Sequence, residues 1–195
     1  IINLKRRTDR RKIMEYKIKR YNITNYSFFD AVDGYLSKYD NLYDLCHAKP
    51  NNLLTSRGAF GLLLTYIELL KDAHFNHYDK ILILEDDISF HKNIYSMIDI
   101  YTDMINSLDN TILWIGANQN RFDPVQMQEI NKINESKTNA YYNVANKIYT
   151  YGTYSIILDK KAIFNLCKVI NYKNILNFQP IDLMMNYEIR SNNIK

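Results

Sequence analysis

The run Ile81-Leu82-Ile83-Leu84, followed at once by Glu85-Asp86-Asp87, restricts the fold more than any other stretch of the chain. Four consecutive apolar residues behind the polar lead-in Tyr78-Asp79-Lys80 read as a fully buried strand, covered on both faces as in an α/β sheet. Open α/β sheets turn the carboxyl ends of their strands toward the ligand crevice, which predicts that these acids line a binding site. Three adjacent negative charges repel one another, so the arrangement favours a cation among them. Oxygen ligands alone suit Mg²⁺ or Mn²⁺ rather than zinc. The pattern points to a divalent-metal site holding a phosphate-bearing ligand. Two other readings fit the same run. The acids can form a solvated strand-to-loop turn that caps a helix starting near residue 93. The strand can also be of the Walker-B kind, but that requires a Gly-x-x-x-x-Gly-Lys-Ser/Thr loop, which this sequence of five glycines lacks.

The 195 residues suffice for one domain with a substantial core. Hydrophobic content of 47% and charged content of 24% match a soluble globular chain. No apolar run is long enough to span a bilayer, and the first residues do not resemble a signal peptide. Ile1-Ile2-Asn3-Leu4 already has strand character, so the expectation is a single domain over 1–195, trimmed at one or both ends. Localisation stays open between the cytoplasm and a secretory-pathway lumen. Cys46 and Cys167 form no metal or redox pattern and read as two buried or free thiols, which favours a reducing compartment. The net charge of +4 has much of its excess between Lys5 and Arg20. That balance fits an anionic small ligand and argues against nucleic-acid binding.

Strands and helices alternate along the chain. Thr8 or Asp9 reads as the N-cap of a helix reaching about residue 21. Arg6, Arg7, Arg10 and Arg11 crowd its start and oppose the helix dipole. A bound anion would relieve them; a solvated basic face is the alternative. Residues 26–29 read as a second strand, leading to Asp30-Ala31-Val32-Asp33-Gly34, where Asp-Gly marks a turn. Such a turn can place an acid against a ribose or be only a turn. Residues 35–55 read as a partly packed irregular loop. Thr55 or Ser56 caps a helix to about residue 72 that is apolar nearly all round and therefore buried. Gly58 and Gly61 each cost about 1 kcal/mol of helix propensity, which predicts a close approach by another backbone or a ligand. Arg57 stands at the helix start. His74 and His77 are three apart, but connection histidines are more often solvated than metal-bound.

Further on, a helix is expected over 93–107 and a strand over 111–116. Residues 117–140, polar and Asn-rich, predict a mobile loop or lid. A turn at 149–152 enters a buried strand, and Asp159 caps a helix to about residue 170. Asp182 stands near the N-terminus of the last helix, after Pro180. That position stabilises a carboxylate, as a general base requires, and equally suits an ordinary cap. The alternation predicts a three-layer α/β domain.

Taken in order, several segments resemble glycosyltransferase family 25, which holds bacterial lipooligosaccharide galactosyltransferases, collagen hydroxylysine galactosyltransferases and their relatives. They are Ile2-Asn3-Leu4 with Arg7 and Asp9-Arg10, Ala31-Val32-Asp33-Gly34, and Gly58 with Gly61. Ile83-Leu84-Glu85-Asp86-Asp87, Tyr151-Gly152-Thr153, Lys161-Ala162 and Pro180-Ile181-Asp182 complete the set. The resemblance implies a GT-A fold, an α/β domain with a mostly parallel central sheet and helices on both faces. It also implies metal-dependent, inverting transfer of a hexose, galactose or glucose, from a UDP-sugar to a hydroxyl of a glycan or collagen-like acceptor. The acidic triplet would be the family's DxD-type motif. Glu85 and Asp87 would flank Mn²⁺ (or Mg²⁺) and the donor's ribose or diphosphate, with Asp86 between them. Asp182 would be the base that deprotonates the acceptor, and Asp33, Arg10 and Arg57 would contact the nucleotide or phosphates. The family pattern usually carries Glu after the first glycine and a Ser-His pair later in that helix. This chain has Ala59 and Thr65-Tyr66 there. A catalytically degenerate domain that binds UDP or acts as a structural partner is therefore the alternative expectation. A phosphotransferase or hydrolase on a similar sheet is a third.

Overall fold

The computed structural model describes residues 1–50, 52–54, 56–116, 152–177, 179–191 and 193–194. The loop expected at 117–140, and Tyr149 to Tyr151 before the fifth strand, lie outside them. In chain order the elements are β1 (Ile2–Leu4), α1 (Thr8–Arg20), β2 (Phe29–Ala31), a 3-10 turn (Ser37–Tyr39), α2 (Asp40–His47) and α3 (Arg57–Phe75). Then come β3 (Lys80–Leu84), α4 (Ile94–Asn106), β4 (Ile112–Gly116), β5 (Ser155–Asp159), α5 (Lys160–Val169), a 3-10 segment (Tyr172–Asn177) and α6 (Ile181–Arg190).

Two helices begin as their sequences dictate. The Ser56 hydroxyl accepts the Ala59 N–H at 3.1 Å at the start of α3. Asp159 accepts from the Lys161 and Ala162 amides at 2.8 and 3.1 Å at the start of α5. Each cap stabilises its helix by about 1 kcal/mol. Helix α1 starts differently: Arg7 holds the cap position and its side chain accepts no helix N–H. Thr8 and Asp9 lie inside the helix, where Asp9 pairs with Arg7 through two bonds of 2.7 and 2.9 Å.

Strands β1 and β2 pair in parallel, Ile2 opposite Phe29 and Leu4 opposite Ala31. A single parallel bridge from Ile2 to Glu85 brings β1 alongside the end of β3. Strand β5 lies between β3 and β4 and is antiparallel to both. This three-stranded sheet is thus antiparallel, and the parallel β1–β2 pair is a separate sheet, in place of one mostly parallel central sheet. The chain enters β5 where β3 and β4 leave off, with Ser155 opposite both Leu84 and Gly116, so β5 can only run back. Apolar periodicity carries no information on strand direction.

Strand alternation sends Ile83 and Leu84 to opposite faces. Ile83 joins the larger core with Ile112, Ile156 and Leu158, under Phe60, Leu64 and Ile67 of α3, Ile163 and Leu166 of α5, and Met185 of α6. Leu84 joins a second cluster with Met14 and Ile18 of α1. Helices therefore cover both faces at this end of β3. The other end departs from a fully buried strand: Leu82 is 48% exposed and Lys80 is exposed as well. Residues 35–55 also depart from an irregular loop by forming the 3-10 turn and α2. Cys46 is buried there, and Leu42 and Tyr43 pack against the core, Tyr43 edge-on to Phe60 at 5.5 Å. Both cysteines are free thiols, Cys46 buried and Cys167 half-buried.

Helix α3 is buried nearly all round, as its composition requires. Its closest contact is with the turn after β2. A Cβ on Gly61 would lie 2.6 Å from the Val32 carbonyl oxygen, and one on Gly34 would collide with that of Arg57. Thr65 reinforces the contact, since its hydroxyl donates to the Gly61 carbonyl at 2.7 Å and accepts the Val32 N–H at 2.9 Å. Gly58 is different: the nearest atom to its hypothetical Cβ is Ser56 Oγ at 3.8 Å. Gly61→Ala is expected to destabilise the domain by about 1–3 kcal/mol through overpacking. Gly58→Ala is expected to stabilise it by up to about 1 kcal/mol. Urea denaturation of the two variants checks both signs.

Candidate functional site

Strands β1, β2 and β3 run in one direction, so Leu4, Ala31 and Leu84 end at one edge of the fold, and β5 begins there. The residues next to those ends are polar: Arg6, Arg7 and Arg10 after β1, Asp33 after β2, and Glu85-Asp86-Asp87 after β3. Gly152 and Thr153 precede β5.

The three carboxylates go to different partners. Asp86 is buried, at 9% exposure. It accepts from Asn3 Nδ2 at 2.7 Å and from an Arg10 Nη1 at 2.9 Å. The same Arg10 nitrogen reaches the exposed Asp87 at 3.0 Å. Glu85 is half-buried and accepts the Thr153 hydroxyl at 2.8 Å, while its N–H bonds the Tyr154 carbonyl at 3.0 Å. Burial pushes the Glu85 carboxyl above the usual range; the Thr153 hydrogen bond opposes this, and the charges of Asp87 and Asp86 add to it. Hydrogen bonds to a charged group contribute about 1.5–3 kcal/mol each. An exposed ion pair such as Arg10–Asp87 contributes about 0–1 kcal/mol. Asp86 is therefore the anchor of the turn, and Asp87 is the more exposed and more weakly held of the two acids that Arg10 bonds.

Helix α1 fastens the segment beyond the acids. Lys17 donates to the Ile88 carbonyl at 2.5 Å, and the Tyr21 hydroxyl donates to that of Phe90 at 3.3 Å. Arg10, Met14, Lys17 and Tyr21 recur at helical spacing, so one face of α1 follows residues 84–90. All four arginines at the start of α1 meet acids of their own chain: Arg6 with Asp33, Arg7 with Asp9, Arg10 with Asp86 and Asp87, and Arg11 with Glu15. Relief of the crowded positive charge is built into the fold.

Asp182 lies one residue inside α6, where Pro180 holds the cap position without a side-chain bond. Its carboxylate accepts the Gly152 N–H and the Leu183 N–H, each at 2.9 Å. Gly152 has φ +81°, and a Cβ there would collide with the Tyr154 ring. Its carbonyl accepts the Trp114 indole N–H at 3.2 Å. The dipeptide Gly152-Thr153 thus forms a ledge that bonds Asp182 through the Gly152 N–H and Glu85 through the Thr153 hydroxyl. Residues far apart in sequence are brought to one place by it.

The other expected site residues are placed as follows. Asp33 is paired with Arg6 and accepts the Tyr35 N–H at 3.1 Å. The Arg6 hydrogen bond holds its carboxyl below the usual range. Arg57 turns to α2, bonding Asp40 at 2.5 Å and the Gly34 carbonyl at 3.4 Å and lying 4.6 Å from the Tyr43 ring centre. Of the two arginines, Arg10 is the one that bonds the acidic turn. His74 packs against Phe164, with ring centres 5.6 Å apart. Among the described residues no group of three or more His, Cys, Asp and Glu side chains could hold a metal. Asn3 and Thr153 escaped the sequence reading as site residues. The visible signal for Asn3 was an amide inside an otherwise apolar strand.

Residues 1–185 match the family described as glycosyltransferase family 25 (LPS biosynthesis protein). A protein of Acanthamoeba polyphaga mimivirus named as a "putative glycosyltransferase" is 34% identical over 163 residues, 83% of this chain and 49% of that protein. The chain belongs to glycosyltransferase family 25. It spans about half the length of this mimivirus relative. No described helix is long and apolar enough to cross a membrane.

A carboxyl whose pKa is raised in the folded state stabilises the fold fully below its unfolded pKa and loses that contribution as pH rises through the folded value. Glu85→Gln is therefore expected to gain stability relative to the unmodified chain as pH rises from 4 toward 8. Paired urea titrations in chelator check this, and a difference independent of pH would contradict it.

Proposed function

We propose that this domain transfers a hexose, galactose or glucose, from a UDP-sugar to a hydroxyl of a glycan or collagen-like acceptor, with inversion, on a GT-A-type fold. Family membership supports the reading, and one observation carries it: Gly152-Thr153 joins the acidic turn after β3 to Asp182 at the start of α6. Donor and acceptor chemistry need that juxtaposition, since the leaving diphosphate and the attacking hydroxyl lie on opposite sides of one anomeric carbon.

Each residue has a role in this reading. Asp87, exposed at the strand end, would hold Mn²⁺ or Mg²⁺ with Glu85 as the neighbouring carboxylate. Such an ion commonly takes one or two carboxylates and completes its shell with substrate phosphates and water, so Asp87 with one neighbouring carboxylate would suffice. Bound there, the ion would supply Lewis-acid neutralisation of the departing UDP. Arg10, beside Asp87, offers the diphosphate a second positive charge. Asp86 acts by fixing the turn to Asn3. Asp33 and Arg57 belong to the adjoining turn and helix start, and of these Asp33 is the nearer in kind to a ribose contact. Asp182, oriented by two backbone N–H groups, takes the proton from the acceptor hydroxyl as it attacks.

The second reading is a domain that binds UDP without transfer. It draws support from Tyr66, which is fully buried where the family resemblance expects a histidine, so that position offers a substrate no accessible titrating group.

UDP release from a panel of UDP-sugars, with and without Mn²⁺, tests the proposal. One sugar should give Mn²⁺-dependent release, lost in Asp87→Ala while the melting temperature is retained. Asp182→Asn should keep calorimetric UDP binding and lose transfer to acceptor by about 10²-fold or more. UDP binding without turnover on any acceptor would favour the second reading, and no UDP binding at all would overturn both.

A further inference from the structure

A guanidinium already bridges two of the acids in the proposed donor site. One nitrogen of Arg10, Nη1, donates to Asp86 Oδ1 at 2.9 Å and to Asp87 Oδ2 at 3.0 Å, so the two carboxylates share one positive charge. The two arms of this bridge differ in strength. The Asp86 side chain is 10% exposed, and its other oxygen, Oδ2, accepts from Asn3 Nδ2 at 2.7 Å. Removing the counter-charge from a carboxylate so enclosed is strongly unfavourable. The Asp87 side chain is 48% exposed, and an ion pair in that setting is screened by water and held weakly. Arg10 can therefore leave Asp87 at little cost while it stays on Asp86.

We propose that Arg10 is an internal counter-cation that makes metal and donor enter together. Before they bind, Arg10 holds Asp87; on binding, Arg10 yields Asp87, keeps Asp86 and turns its remaining N–H groups to the diphosphate. The bonds to the acids use Nη1 alone, which leaves Nε and Nη2 for phosphate oxygens, a geometry that a guanidinium fork suits. Asn3 fixes the far side of Asp86, so the pivot of this exchange stays in place. A divalent ion without a diphosphate must compete with Arg10 for Asp87 and gains nothing in return. With a diphosphate present the competition ends, because the displaced guanidinium has a new anionic partner. This inference rests on the donor-site reading above and concerns the order in which that site fills.

The test reads metal and nucleotide separately in the unmodified domain, Arg10→Gln and Arg10→Lys, each with a melting curve. Mn²⁺ alone is titrated by electron paramagnetic resonance, and UDP is titrated by calorimetry in Mn²⁺. Arg10→Gln removes the charge, so Mn²⁺ alone should bind about fivefold more tightly, while UDP should bind about tenfold more weakly. Arg10→Lys keeps the charge and lacks the fork. Its affinity for Mn²⁺ alone should stay within about twofold of the unmodified domain, and its UDP affinity should fall. A merely structural role for Arg10 would weaken both ligands in Arg10→Gln. A second reading uses the unmodified domain and the diamagnetic ion Mg²⁺: the Arg10 Nε–H resonance, assigned by its loss in Arg10→Lys, should shift when UDP is added. Mn²⁺ binding in Arg10→Gln no tighter than in the unmodified domain, or an Arg10 resonance that UDP leaves in place, overturns the exchange and leaves the donor site standing. Failure of the unmodified domain to bind UDP overturns the donor reading and the exchange together.

Discussion

Repulsion among three successive carboxylates governs how this fold is assembled. At an effective dielectric constant of 20, two unit charges 4 Å apart oppose each other by about 4 kcal/mol, comparable to a large part of a domain's net stability. The chain meets this by giving each acid a separate environment. Asp86 turns inward to an amide of the first strand and a guanidinium of the first helix. Glu85 turns to a hydroxyl on the approach to the fifth strand, and Asp87 remains outside. These links tie the two-stranded and three-stranded sheets together where, among the described residues, one backbone bridge joins them.

Much of this could be read in the residues. The acidic strand end, the capping roles of Ser56 and Asp159, the all-round burial of α3 and the start of the last helix follow from local rules that the structure repeats. Strand direction could not be read, because alternation is the same for a strand running either way, and β5 reverses the expected sheet. Helix α2 escaped notice because it is only eight residues long and its burial depends on Phe60, which belongs to another helix. Arg6 and Arg10 looked unrelieved because their partners Asp33 and Asp86 come from other elements. Within the site, the acids and Asp182 were legible as types. Asn3 and Thr153 were not, since amides and hydroxyls are chemically ordinary until a fold surrounds them.

The ledge of Gly152 and Thr153 shows how a second half of a site can be placed without a helix or strand of its own. Its conformation depends on a positive φ at Gly152, and its bonds run to β4, α6 and the end of β3. Displacing any one of those elements would move both acids relative to each other. The antiparallel sheet has the same effect, because β5 starts beside the ends of β3 and β4 and so carries the ledge to that edge.

The contact between Gly34 and Gly61 bears on how this domain can vary. The atoms that exclude a Cβ at either position belong to main chain: the Arg57 and Val32 carbonyls and the amide nitrogens of Gly34 and Gly61. A neighbouring side chain can be trimmed to admit a larger residue, but a peptide unit cannot be trimmed. No compensating substitution elsewhere is therefore available, and each glycine is locked independently of the other. In a randomised library of the 32–34 turn, diversity should collapse at Gly34 while Val32, whose constraint is through its carbonyl, accepts other side chains. The evolvable part of that turn is the side-chain periphery, and its path is fixed.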